Sequence, residues 1–285
     1  MNYKTKAWSC QFCTFINTSS YYKCEICEKE DGKFHLDIPY SIENDVEQRK
    51  RIVSDNYKKV FGDKKILLPV IHVTDYDQTA KNTKVCFDNG ADGVWYINHN
   101  IDSLTMIEII REIRKSFQKE WIGLNILDMN APSVFNLVTK LDFRVDGVWC
   151  DNSYITESEN NCVADLVLTN MLDGKYSGLY FGSIAFKGQY KPNDLAKNVK
   201  MALKYVDVIV TSGEQTGIAP LIDKVENIHS NCENVPIAIA SGININNVAF
   251  YKKYVTCFMV WTGITDSEGN HVPELVRDLV NFIKL

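Results

Sequence analysis

The chain lacks several features that would place it in a class at once. No apolar run reaches the roughly 20 residues needed to span a bilayer, so no membrane role is expected. The first residues, MNYKTKAW, contain no apolar stretch of the kind that opens a secretory leader. Basic charge is not in excess. The net charge of -5 argues against general nucleic-acid binding, which needs cationic surface to displace counterions. An odd count of 9 cysteines without a leader points to reduced thiols in an intracellular setting, cytoplasmic or nuclear. What remains is ordinary for a soluble globular protein: 285 residues, 45% apolar and 24% charged, enough for one sizeable core and a small accessory module.

Four of the cysteines sit close together near the start. Cys10/Cys13 and Cys24/Cys27 form two Cys-x-x-Cys pairs within WSCQFCTFINTSSYYKCEIC. Four thiolates at this spacing can close a tetrahedral structural zinc site. A stretch this short cannot bury a core, so metal binding supplies most of its folding free energy. Residues 1–34 are read as this finger, 35–62 as a linker with an amphipathic helix, and 63–285 as the main domain. In the linker, Ser41 is placed to cap a helix from Ile42 to Phe61. Val46, Val53, Tyr57 and Val60 share one face, and Gly62 is the stop.

Trp8, Cys10, Cys13, Asn17, Cys24 and Cys27 fit W-x-C-x2-C-x3-N-x6-C-x2-C without a departure. This resembles the Ran-binding-protein-type zinc finger. Within that group, the NZF subtype binds ubiquitin through a Thr-Phe after the second Cys and an apolar residue between the last two. The matching positions are Thr14, Phe15 and Ile26, so the resemblance implies ubiquitin or a ubiquitinated protein as partner. RNA-binding members of the group use basic and aromatic residues, and no Arg occurs in residues 1–34. An intramolecular role, with Phe15 and Ile26 packed on the main domain, is the other reading.

From Ile66 onward, short runs rich in Val and Ile alternate with segments of helical period. The runs are 67–73, 93–97, 122–127, 146–150, 178–184, 206–211, 236–240 and 257–261. Eight such runs with eight helices, the last from Pro273 to Lys284, predict an α/β fold, a (β/α)8 TIM barrel. An open doubly wound sheet has the same element order. It usually carries a glycine-rich first turn, and the first turn here, VTDYDQT, has no glycine.

A barrel carries its site at the carboxyl ends of its strands. The residues there are polar after nearly every run: His72, Thr74, Asp75 and Asp77; Asn98, His99 and Asn100; Asn125 and Asp128; Asp151 and Asn152; Lys187; Ser212, Glu214 and Thr216; Ser241, Gly242 and Asn244; Thr262 and Gly263. Facing carboxylates can work as an acid/base pair or hold a divalent ion. The candidate catalytic residues are Asp75 and Asp151 as acid and base, Lys187 or Glu214 in support, and Asn98 and Asn125. Asp75, Asn244 and Asp128 are also plausible helix caps. ASGININNV (240–248), a strand running into Ser-Gly and a helix start, is a candidate phosphate seat. The residues expected to line it are Thr216, Gly217, Ser241, Gly242, Trp261, Thr262 and Gly263. Trp261 stands where a close-approach glycine is usual, and it either fills the seat or stacks on a ligand.

Seven collinear segments resemble the BtpA/SgcQ family of TIM-barrel proteins: PVIHV, YINHNID, GLNILDMNAP, AFKG, DVIVTSGEQTG, ASGININNV and FMVWTGI. The resemblance points to His72, Asn98, Asn125, Lys187, Thr216, Gly217, Ser241 and Gly242. It departs from the family at Ile97, Gly188, Trp261 and the TDYDQ turn, all around the mouth. It implies the barrel and, loosely, nucleosidase or sugar-phosphate metabolism. Together the modules lead to the expectation of a ubiquitin-recruited hydrolase of a glycosidic or ribosyl bond, with modified ubiquitin as a possible substrate. The alternatives are a non-catalytic ubiquitin-binding adaptor whose mouth Trp261 plugs, and a deubiquitinase, for which Cys150 is the one thiol at a strand end.

Overall fold

The computed structural model describes residues 56–285 and three short N-terminal strands, Ala7–Ser9, Ile16–Asn17 and His35–Leu36. The strands form an antiparallel sheet with Ala7–Ser9 in the middle. Cys10, Cys13, Cys24 and Cys27 lie outside the described residues, as do Thr14, Phe15 and Ile26.

Eight parallel strands close into a barrel. They are β1 (Ile66–His72), β2 (Val94–Ile97), β3 (Ile122–Asn125), β4 (Gly147–Cys150), β5 (Leu179–Ser183), β6 (Val208–Thr211), β7 (Ile237–Ile239) and β8 (Cys257–Val260). Each is followed by a helix. In order these are α1 (Tyr76–Asp88), α2 (Ser103–Ser116), α3 (Ala131–Val138), α4 (Cys162–Asp173), α5 (Leu195–Ala202), α6 (Ile222–Asn231), α7 (Val248–Tyr251) and α8 (Pro273–Lys284). Every predicted apolar run became a strand, and the ring closes where β8 pairs with β1, Cys257 beside Ile66. The strands read as continuous apolar runs because both faces are covered.

Strand periodicity splits the core in two. Outward-facing residues such as Leu67, Ile71, Tyr96, Leu124, Val148 and Phe258 pack under the helices. Inward-facing residues fill the barrel: Leu68, Val70, Trp95, Trp149, Phe181, Val208, Ala238 and Met259. Trp95 is fully buried and meets Trp121, Trp149 and Phe181 edge-on, with ring centroids 5.0, 5.9 and 4.9 Å away. These indoles need room. A Cβ on Gly123 would run into the Trp95 ring, and one on Gly147 into Trp121.

The bottom of the barrel is closed by the helical residues 56–61, whose Tyr57 is 1% exposed and joins the interior cluster. Phe61 stacks obliquely on Trp121 with centroids 5.5 Å apart. Of the expected helix, Ser41, Val46 and Val53 lie outside the described residues, and of the two remaining face positions one needs correction. Val60 is 48% exposed, because Tyr57 and Phe61, four residues apart, make the contact instead. Gly62 ends the helix at φ +67, a left-handed conformation suited to glycine. Among the described residues no helix is long and apolar enough to cross a membrane.

One ion pair ties α2 to the bottom of β3 and β4. Arg114 donates to Asp146 at 2.7 Å and to the carbonyls of Phe117 and Glu120 at 3.0 and 2.7 Å. Asp146 also accepts the Ile122 N–H at 2.9 Å. Both side chains are largely buried, so removing one partner strands the other's charge. Arg114→Met is expected to lower unfolding free energy by about 3 kcal/mol, measured by urea denaturation. The low end of the range applies because Arg144, 2.7 Å from Asp146, remains as a partner.

Candidate active site

The inward parity of each strand continues past its carboxyl end. His72 follows Val70, His99 follows Ile97, Asp151 follows Trp149, and Trp261 follows Met259. These residues, with Asn125 at the end of β3, surround the open end of the barrel. A small cavity opens there. It is bordered by His72, His99, Trp149 and Lys187 on one side and by Thr216, Gly217, Ser241, Gly242, Trp261 and Thr262 on the other.

Two turns shape the second side. Gly242 sits at φ +64, and a Cβ there would collide with the Ala219 backbone, so the β6 and β7 loops meet at a glycine. Ser241 Oγ donates to the carbonyl of Gln215 at 3.0 Å, which joins the same loops again. Thr262 opens a short 3-10 turn, Thr262–Ile264, after β8. Gly263 packs beneath, against Ile243 and Asn244. Trp261 lies flat on His72, with centroids 4.0 Å apart and planes 11° from parallel. It is a wall of the cavity and does not plug it.

On the first side, charge is arranged by burial. Asn125 Nδ2 donates to Asp151 Oδ1 at 2.9 Å. Burial pushes the Asp151 carboxyl above its ordinary value, opposed by the Asn125 bond and by Lys187 and His99. Burial pulls the Lys187 amine below the usual lysine range, with Asp151 acting the other way. The Lys187 ammonium lies 5.5 Å from the centroid of the Phe186 ring. Burial lowers His99, and it lowers His72 to about 3, helped by His99, His271 and Lys187. Both imidazoles are therefore neutral near pH 7.

The remaining expected residues have other positions. Asp75 is the N-cap of α1; its Oδ1 accepts the Gln78 N–H at 2.9 Å on the exposed rim. Glu214 is exposed and pairs with Lys191 at 2.5 Å. Asn98 braces loops, donating to Asp128 at 2.8 Å and accepting the Leu127 N–H at 2.8 Å. Asp128 accepts the Ser103 N–H at 3.0 Å, so it ties the β3 loop to α2 and does not cap its own helix. Cys150 is buried, and burial pushes its thiol up, away from the thiolate a nucleophile needs. Among the described residues no three His, Cys, Asp or Glu side chains converge as a metal set. His72 and His99 stood in the sequence at strand ends but were not among the candidate catalytic residues. Their inward parity was the available signal.

No family model and no curated protein matches the chain. Solved structures do. Mycobacterium tuberculosis tryptophan synthase superposes with a TM-score of 0.57 at 8% identity, covering 83% of this chain and 98% of that one. KDPG aldolase from Legionella pneumophila, with pyruvate captured as a covalent carbinolamine intermediate, gives 0.54 at 14%, covering 79% and 97%. (S)-3-O-geranylgeranylglyceryl phosphate synthase from Thermoplasma acidophilum, in complex with sn-glycerol-1-phosphate, gives 0.56 at 14%, covering 82% and 98%. What these likenesses share is the fold.

They also correct the expected chemistry. The similar barrels are synthases and an aldolase, not glycosidic hydrolases acting on ubiquitin. The paired carboxylates on which hydrolysis rested do not form, since Asp75 is spent on a cap. The two alternatives are corrected as well: the similar barrels are enzymes and not ubiquitin-binding adaptors, and Cys150, the thiol a deubiquitinase would use, is buried.

The neutral imidazoles have a pH consequence. His271, 3% exposed, is likewise lowered to about 4 by burial. Unfolded histidines take up a proton near 6.5, roughly. The unfolded chain thus binds more protons between that value and about 4, and stability falls as pH drops through this window. Above it the histidines contribute fully and the profile is flat. The melting temperature should decline from pH 7 toward pH 4, and His271→Gln should shallow the decline. An unchanged slope in that variant would remove His271 as a contributor.

Proposed function

We propose that the barrel mouth is a lyase- or synthase-type active site for a small phosphorylated carbonyl compound, with Lys187 as the amine that engages the carbonyl. The observation that carries this reading is the half-buried Lys187, its amine held below the usual range, in one cavity with the Gly217 and Gly242 turns. An ordinary lysine, with a pKa of about 10.4, is almost wholly protonated at pH 7 and has no lone pair to offer. Desolvation raises the free-amine fraction, as amine nucleophiles require.

The Lys187 Nζ lone pair attacks the carbonyl carbon and a C–N bond forms. The carbonyl π pair moves to oxygen, and the proton released from nitrogen passes to that oxygen, giving a carbinolamine. A proton delivered by Asp151 lets the hydroxyl leave as water with the C–O pair, the nitrogen lone pair forms the C=N bond of an iminium, and the iminium draws electrons from a neighbouring C–C or C–H bond, whose electrofuge or proton leaves. Asp151, its proton affinity raised by burial and its carboxylate held by Asn125, is the proposed proton carrier. Neutral His99 stands beside it as a second acceptor. The Legionella aldolase, described with a covalent carbinolamine of pyruvate, supports this chemistry by analogy of fold.

Thr216, Gly217, Ser241, Gly242, Thr262 and Gly263 are proposed as the phosphate seat, with Trp261 beside them. Loops after the last two strands and a short extra helix form such seats in barrels generally. The glycerol phosphate in the Thermoplasma structure supports a phosphorylated ligand. The finer likeness to the BtpA/SgcQ family rests on the quoted segments and points to Lys187, Thr216, Gly217, Ser241 and Gly242 among these residues.

Dihydroxyacetone phosphate with cyanoborohydride is expected to leave a reduced adduct on Lys187, located by peptide mass mapping and absent in Lys187→Met. Asp151→Asn should slow its formation at least ~100-fold. If no adduct forms with any of a series of small phosphorylated aldehydes and ketones, the reading is wrong. For the N-terminal motif we propose one zinc ion on Cys10, Cys13, Cys24 and Cys27, supported by their spacing. Metal analysis should find one equivalent, lost in the Cys10→Ser/Cys24→Ser variant.

A further inference from the structure

Lys187 is backed by a second lysine. Lys224, on α6, donates from its Nζ to the carbonyl of Ala185 and, at 2.8 Å, to that of Ser212. These carbonyls belong to the loops after β5 and β6, on either side of Lys187. Ser212, fully buried, adds a tie of its own: its Oγ accepts the Lys187 backbone N–H at 2.9 Å and donates to the Gly213 carbonyl at 2.9 Å.

The backbone leading to Lys187 is not relaxed. Ala185 has φ +45, a left-handed conformation uncommon for a residue with a side chain. Phe186 is 1% exposed and locked into the barrel interior. The chain thus bends sharply just before Lys187, and the Lys224 ammonium holds the carbonyl at the bend. A second cavity lies beyond, bordered by Lys187, Lys191, Leu195, Glu214 and Lys224. Lys187 borders both cavities, so its amine has two places to go. Only one of them contains His72, His99 and the glycine turns.

We propose that Lys224 is a positioning residue: by clamping the carbonyls of Ala185 and Ser212 it sets the bend that aims Lys187 into the barrel mouth. This rests on Lys187 being the reactive amine. The clamp is chemically robust. Burial lowers the Lys224 amine to about 8, and a neutral amine keeps two N–H donors, one for each carbonyl.

Competitive acetylation of Lys187 with acetic anhydride over a pH series, read by peptide mass spectrometry, measures how the amine is held whether or not it is catalytic. In wild type it should titrate below the usual lysine value. In Lys224→Met, with folding checked by circular dichroism, Lys187 should swing toward solvent and titrate near about 10.4. Its reductive trapping at pH 7 should then fall about tenfold for each unit the titration moves up. Lys224→Arg should restore part of both, and Ser212→Ala should shift the titration the same way by less. A folded Lys224→Met protein in which Lys187 titrates as in wild type overturns the proposal. If that variant does not fold, an unshifted titration in Ser212→Ala overturns it. A shifted titration in a protein that traps no phosphorylated carbonyl supports the clamp and rejects the carbonyl chemistry, so the two readings separate.

Discussion

Closing eight strands into a ring leaves an interior that side chains alone must fill, and here its largest pieces are indoles set among aliphatic side chains. Trp95, Trp121 and Trp149 with Phe181 occupy the lower and middle barrel. They fit because β3 and β4 present glycine to them at Gly123 and Gly147. The volume is fixed by close packing, so large and small residues on neighbouring strands must be matched. The rest follows from that match. With the interior solid, the period-2 alternation of each strand is locked, and the next inward position past each strand has nowhere to point but the open end. His72, His99, Asn125, Asp151 and Trp261 are the residues on that parity. The site is the top layer of the core, made polar.

This layering explains the electrostatics of the mouth. A polar group on a packed hydrophobic floor loses water on one side and keeps it on the other. The neutral form is favoured for every titratable residue there: Asp151 rises, while Lys187, His72 and His99 fall. Groups of opposite charge type are thus shifted in opposite directions by the same burial. The residues that escaped this treatment, Asp75 and Glu214, stand on the rim in water with local partners.

Much of the barrel was legible in the sequence because strand burial on both faces writes itself as apolar runs. LLPVIHV and GLYFGSI leave little room for another reading, and Pro273 marked the first turn of α8. The residues around the mouth were legible as a set, since they follow strands, but not in their roles. Asp75 and Asp151 look alike in sequence. One caps a helix and the other is folded inward against Asn125, and the difference is the strand parity plus one hydrogen bond across the barrel. Lys224 carried no local signal, because its work is done through carbonyls of the two preceding loops. Val60 failed for a simpler reason: among the described residues of this helix, Tyr57 and Phe61 make the contact with the barrel and Val60 faces away from it.

The pairing of β8 with β1 bears on how the molecule is made. The barrel has no edge once closed, yet every stage before Cys257–Val260 arrives leaves β1 and β7 with open, apolar edges. On a ribosome β1 emerges first and waits for the last strand, at synthesis rates of roughly 5–20 residues per second. Their closure is among the most non-local contacts the chain makes, so it comes late and slowly. Trp261 lies flat on His72 one step beyond that seam, and the cavity wall is therefore completed only when the ring is. A nascent chain has Lys187 before it has the cavity beside it, and the finished cavity is a report that closure has occurred.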